Sequence, residues 1–104
     1  MDMSKICKLC ETGKIEWTLH VAKRLLQRGI TSNDVTGAII AGEIIENYPE
    51  DYPFPSCLIM GKTDKNRVLH IVGAVGDDKL WMITAYEPNV AEWDAKFKTR
   101  KEQT

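Results

Sequence analysis

Arg67-Val-Leu-His-Ile-Val-Gly-Ala-Val75, then Gly76-Asp-Asp78, then Lys79-Leu-Trp-Met-Ile-Thr-Ala-Tyr86 is the stretch that decides the fold. Two runs rich in β-branched and aromatic residues flank a short Gly/Asp turn, the pattern of a β-hairpin. A three-residue loop at Gly76 to Asp78 sets Leu69, Ile71 and Val75 on one face with Trp81, Ile83 and Ala85. That face is expected to meet the helices. In the same register His70 stands opposite Thr84, and Val68 opposite Tyr86, on the other and more polar face.

Working outward, Ser56-Cys-Leu-Ile-Met-Gly61 and Glu43-Ile-Ile-Glu-Asn-Tyr48 read as the two preceding strands, joined by a loop stiffened by Pro49, Pro53 and Pro55. Upstream of Gly42 the period becomes helical. Ser4 reads as the cap of a helix from Lys5 to about Thr12, ended by Gly13. Thr18 caps a second helix that Gly29 stops, and Thr31 or Ser32 caps a third with Val35, Ala38 and Ile39 on its apolar side. After Pro88, Trp93 and Phe97 at i,i+4 with Arg100 three further on predict a terminal helix anchored on the sheet. The expectation is an α+β domain. Two to three short N-terminal helices pack on one face of a roughly four-stranded antiparallel meander, followed by a short C-terminal helix.

The chain has 104 residues, 43% of them hydrophobic, enough for one core and too few for two. We read it as a single domain, residues 1–104, in which 1–17 extend a core formed by 18–104. Fourteen basic against fifteen acidic residues supply no global field to attract nucleic acid or membranes. The charge is nevertheless segregated. Residues 1–29 hold six Lys/Arg against three Asp/Glu, residues 30–55 hold five acids and no base, and Lys96, Lys98, Arg100 and Lys101 crowd the C-terminus. No apolar run has the length of a signal peptide core or a membrane span, so a cytoplasmic protein without a membrane partner is expected. Cys7, Cys10 and Cys57 are an odd set, and Cys7-Lys-Leu-Cys10 lacks the two further nearby ligands of a zinc site. Neither a metal nor another cofactor is expected.

The chemistry-bearing motif is His20, Arg24 and Arg28 in Thr18-Leu-His-Val-Ala-Lys-Arg-Leu-Leu-Gln-Arg-Gly29. Successive i,i+4 positions drift by only about 40° around a helix, so the three side chains share one face. Leu19, Ala22, Leu25 and Leu26 fall on the other side, as they would if the stripe were simply a solvated surface. Arg28 also has a structural role open to it, on the last carbonyls of its helix. His70 is the second imidazole. Two histidines with two arginines are a set that metal-free phosphodiester cleavage can use: an acid, a base and fixed positive charge for the transition state.

The ordered series His20-x-x-x-Arg24-x-x-x-Arg28-Gly-Ile, Gly42-Glu-Ile-Ile-Glu-x-Tyr-Pro-x-Asp-x-Pro-x-Pro-Ser56, Leu69-His70-x-Val72, Thr84-x-Tyr86-x-Pro88 and Trp93 to Arg100 resembles domain-of-unknown-function family 4258. The resemblance runs from His20 onward, and Met1 to Trp17 lie outside it. It implies an α+β fold like that shared by barnase, EndoU, colicin-type tRNases and RelE toxins, whose metal-independent members cleave RNA. It also implies a small toxin paired with an antitoxin protein. The family's recurring polar positions fall on His20, Arg24, Arg28, His70, Thr84, Tyr86 and Arg100.

The function expected on these grounds is a metal-independent endoribonuclease toxin, with His20, Arg24, His70 and Tyr86 as catalytic residues and Arg28, Thr84 and Arg100 holding substrate. One histidine would take the ribose 2′-hydroxyl proton while the other, or Tyr86, served the leaving oxygen; unperturbed imidazole titrates near about 6.5, which suits either role. The alternative is a non-catalytic module that uses the same His/Arg surface for RNA backbone, an acidic protein partner or a small phosphorylated ligand. Convergence of the two imidazoles separates these readings.

Overall fold

In the computed structural model, which describes residues 1–101, a five-stranded sheet has the order β1-β5-β4-β3-β2. The elements run α1 (Met3–Glu11), β1 (Ile15–Trp17), α2 (Leu19–Gln27), α3 (Ser32–Ile40), β2 (Glu43–Tyr48), β3 (Ser56–Lys62), β4 (Val68–Gly76) and β5 (Lys79–Tyr86). The α+β class and the antiparallel β2 to β5 meander agree with the sequence reading. Two features do not. The sheet is mixed, because β1 adds a short strand parallel to β5, and the described residues after Tyr86 form no helix.

Local chemistry sets the helix ends. The Asp2 carboxylate, not Ser4, caps α1 by accepting from the Ser4 N–H at 2.8 Å. Thr18 accepts from the Val21 N–H at 3.1 Å, and Thr31 and Asp34 form a reciprocal capping box. Gly13 and Gly29 leave their helices in the left-handed region, with φ of 72° and 65°, where a side chain would be strained.

The helices cover one face of the sheet. Ile6 and Leu9 of α1, Val21 and Leu25 of α2, and Val35, Ala38 and Ile39 of α3 are buried with Cys57, Ile59, Leu69, Ile71, Leu80, Met82 and Ala85. Within residues 1–17, α1 and β1 contribute to this core through Ile6, Leu9, Ile15 and Trp17. Contact between α3 and β3 depends on Gly61, where an added Cβ would collide with the Ala38 carbonyl.

The decisive hairpin has a different register from the one expected. Gly76 pairs with Lys79, so the turn has two residues, Asp77 and Asp78, both left-handed at φ 53° and 56°. Leu80 and Met82, not Trp81 and Ile83, therefore face the helices. Between Val72 and Gly73 the partner strand advances two residues, which leaves Ile83 as a β-bulge and returns Ala85 to the core. His70 pairs with Tyr86, and Val72 with Thr84.

Around His70 the opposite face of the sheet is covered by residues 88–101, an irregular strap, while Phe54 packs on Trp81 at the other end of that face. Within the strap Trp93 and Arg100 form a bridge. Within it the Asp94 carboxylate accepts from the backbone N–H groups of Lys96, Lys98 and Thr99 at 3.2, 3.1 and 3.5 Å, which organises a turn in place of the expected helix. These bonds hold the Asp94 carboxyl below its ordinary range.

Candidate functional site

Strand β1 pairs with β5 only from Leu80 to Met82. Beyond that point α2 runs along the remaining edge of β5, and the two elements enclose a cleft of about 290 Å³. His20, Arg24 and Arg28 line it from the helix, and Ile83, Thr84 and Ala85 from the strand, with Val21 and Leu25 between. The i,i+4 stripe is therefore a wall of the cleft rather than a face pointing only at bulk water.

The three polar side chains of the stripe are used differently. Arg28 donates through Nη1 to the Ala85 carbonyl at 2.9 Å and to the Thr84 hydroxyl at 3.3 Å, so it ties α2 to the strand edge while its charge stays at the cleft. His20 and Arg24 are exposed and, among the described residues, their side chains bond to no other protein group. The carbonyls at the end of α2 are satisfied by another residue, Arg67, which donates to Gly29 at 2.8 Å and to Arg28 at 3.5 Å. Arg67 also pairs with Glu87 at 2.6 Å. Arg67 immediately precedes β4, and only the folded topology brings it to the helix, so no local pattern marks it.

His70 does not line this cleft. Its ring is fully buried on the strap side of the sheet, edge-on to Trp93 at 4.4 Å and to Tyr86 at 5.9 Å between centroids. Nε2 lies 2.7 Å from the Phe97 carbonyl, which requires it to carry the proton and donate, and Nδ1 is buried without a partner. Burial lowers the imidazole pKa, against opposing pulls from the Phe97 carbonyl and Glu46. The expected convergence of His20 with His70 in one cleft is thus replaced by two separate environments.

Tyr86 and Arg100 belong with His70. Arg100 makes a two-point contact with Glu46, Nε to Oε2 at 2.8 Å and Nη2 to Oε1 at 3.1 Å, and lies over the Trp93 ring at 4.7 Å. Tyr48 donates to the same carboxylate at 2.6 Å; burial and that bond push its phenol up to about 12. Arg100 holds Glu46 below the usual carboxylate range. Burial raises the Tyr86 phenol, which Arg100 only partly offsets. Glu46 and Tyr48 fall in the predicted strand and in the family-like series, but their partner Arg100 lies in the distant strap, so no local pattern marks the cluster.

Cys7 and Cys10 lie on α1 and Cys57 in the core, all as free thiols. Burial pushes both Cys10 and Cys57 up to about 11, the opposite of an activated thiolate. Among the described residues no group of three or more His, Cys, Asp or Glu side chains is placed to hold a metal ion, and no helix is long and apolar enough to cross a membrane.

Comparison with protein families matches residues 17–87 to the family described as Domain of unknown function (DUF4258), and the chain belongs to that family. The matched region contains the α2–β5 cleft, His70 and Tyr86, and ends before the strap that carries Trp93, Phe97 and Arg100. No curated protein and no solved structure matches the chain.

Proposed function

We propose that this protein binds the phosphate backbone of RNA through the α2–β5 cleft, as an interaction module rather than as a two-histidine nuclease. The observation that carries the reading is the separation of the two imidazoles. His20, Arg24, Arg28 and the Thr84 hydroxyl share one cleft, whereas His70 is sealed under the strap with its proton directed at Phe97. Phosphate recognition needs only cations and donors, and an arginine fork offers two parallel hydrogen bonds to phosphate oxygens. Cleavage through an acid and a base requires two titrating groups at one phosphate, and the cleft lining supplies one imidazole. Tyr86, the alternative acid for the leaving oxygen, packs against His70 and is not among the residues lining the cleft.

The test is a fluorescence anisotropy titration of single-stranded RNA in EDTA, with the RNA recovered and sized afterwards. Wild type is expected to bind and leave the RNA intact. Arg24→Ala, at an exposed position, is expected to weaken binding by about tenfold and to make the slope of log affinity against log salt shallower by about 0.7, the loss of roughly one phosphate contact. Cleavage that His20→Ala abolishes, together with growth arrest by the wild-type chain alone, would instead establish the ribonuclease toxin. Binding unaffected by Arg24→Ala would remove the cleft from the account.

A further inference from the structure

A second cationic depression lies on the strap side of the sheet. A groove of about 400 Å³ is lined by Met60, Val68, Ala95 and Phe97, with Lys62, Lys96 and Lys98 among its walls. We propose that this groove takes an unpaired nucleobase of the same RNA strand whose backbone occupies the α2–β5 cleft; the inference rests on that reading of the cleft and assigns it a single-stranded ligand.

Three observations carry it. The first is composition: an apolar slot with one aromatic ring and a rim of lysines suits a flat, weakly polar base on an anionic backbone, and the volume falls within the range of small-molecule sites. Lys98 is partly neutralised by Glu43 at 3.2 Å, but among the described residues Lys62 and Lys96 pair with no carboxylate. The second is backbone conformation. Phe97 has φ 58°, an uncommon region for a bulky residue, and in that conformation its carbonyl turns to His70 while the residue lines the groove. The third is continuity. Lys62 pairs with Val68 and His70 with Tyr86, so the groove and the cleft occupy the same end of the sheet. Arg67, beside Val68, reaches the α2 terminus and joins the two, although Glu87 offsets part of its charge. In the plane of the sheet β3 and β5 are two strand spacings apart, on the order of 10 Å, and the RNA strand also passes round the end of the sheet from the helix side to the strap side. A chain carrying one acid in excess thus sets Arg24 and Arg28 at the cleft, Lys62 and Lys96 at the groove, and Arg67 beside Val68 of the groove wall. Double-stranded RNA offers no unstacked base for such a slot; a single strand does.

The experiment compares three probes by anisotropy: an RNA octanucleotide, the same octamer with abasic ribose at every position, and a dinucleotide. Wild type is expected to bind the octamer about tenfold more tightly than its abasic form, a discrimination of the size one stacked base supplies. Phe97→Asn removes the ring with a residue that tolerates left-handed backbone, and is expected to erase that difference. Lys62→Ala with Lys96→Ala is expected to weaken the octamer and leave the dinucleotide unchanged, whereas Arg24→Ala weakens all three. Protection of the strap from limited proteolysis reports whether it stays seated in each variant. Equal wild-type affinity for the two octamers, or undiminished discrimination by Phe97→Asn with the strap in place, overturns the groove and spares the cleft. No RNA binding by wild type overturns both.

Discussion

Acidification from pH 7.5 to 5.5 is expected to destabilise the fold through His70. In the folded chain its imidazole is fully buried, Nε2 donates to Phe97, and a proton added at Nδ1 would find no acceptor. Burial therefore sets the folded pKa below the free value, so at mildly acid pH the unfolded chain takes up a proton that the native chain refuses. Stability then rises with pH in the window between the folded value and about 6.5, and falls as pH drops through it. If the native imidazole stays neutral throughout, the loss over these two pH units approaches about 1.4 kcal/mol, or roughly 6–10 °C in Tm for a domain of this size. The surrounding charges do not confuse the window. Glu46, Asp34 and Asp94 all have lowered pKa values, so they hold stability above the normal carboxylate range and release it only at lower pH. Urea titrations read by tryptophan fluorescence suit the test because Trp93 touches the imidazole. His70→Leu should flatten the pH dependence. A wild-type midpoint that does not move over this interval, or a His70→Leu variant with an unchanged slope, would refute the reasoning.

Other substitutions probe the scaffold. Gly61→Ala forces a methyl group against the Ala38 backbone and is expected to cost about 2–3 kcal/mol, seen as a lower urea midpoint; a neutral result would mean α3 shifts freely on β3. Arg100→Ala removes both the Glu46 pair and the Trp93 contact at a half-exposed position, and should lower stability by about 1 kcal/mol in thermal melts. Thr31→Ala breaks the capping box at α3 for a similar cost of about 1 kcal/mol, measured the same way. With a thiol reagent, Cys57 should react only on unfolding while Cys7 and Cys10 react in the native protein; equal rates for all three would contradict the burial pattern.

The class and most element positions were legible because capping residues, glycine stops and strand composition act locally. Strand β1 was not, since Ile15-Glu16-Trp17 is too short to show a period and its partner lies beyond residue 79. The register failed for a specific reason: adjacent Asp77 and Asp78 adopt left-handed conformations, which removes Gly76 from the turn and moves Leu80 and Met82 inward. At the C-terminus, Trp93 and Phe97 have helical spacing, yet both reach His70 from a turn held by Asp94. The face carrying His20, Arg24 and Arg28 follows from helix geometry alone. That β5 supplies its opposite wall depends on where the third helix and three strands carry the chain before it returns, which no local pattern records.

The half-length of β1 has a consequence for synthesis. Residues 15–17 are made before their partner and have no strand to join until residues 80–82 arrive, and α2 has no edge to lie along until residues 83–85 follow. Pairings this distant in the chain close late and slowly. A nascent or truncated chain that stops before Lys79 carries every arginine of the stripe but no second wall to oppose it. Whatever the finished cleft engages, its second wall is missing until β5 is made, so competence is expected to appear in one step when that strand joins the sheet.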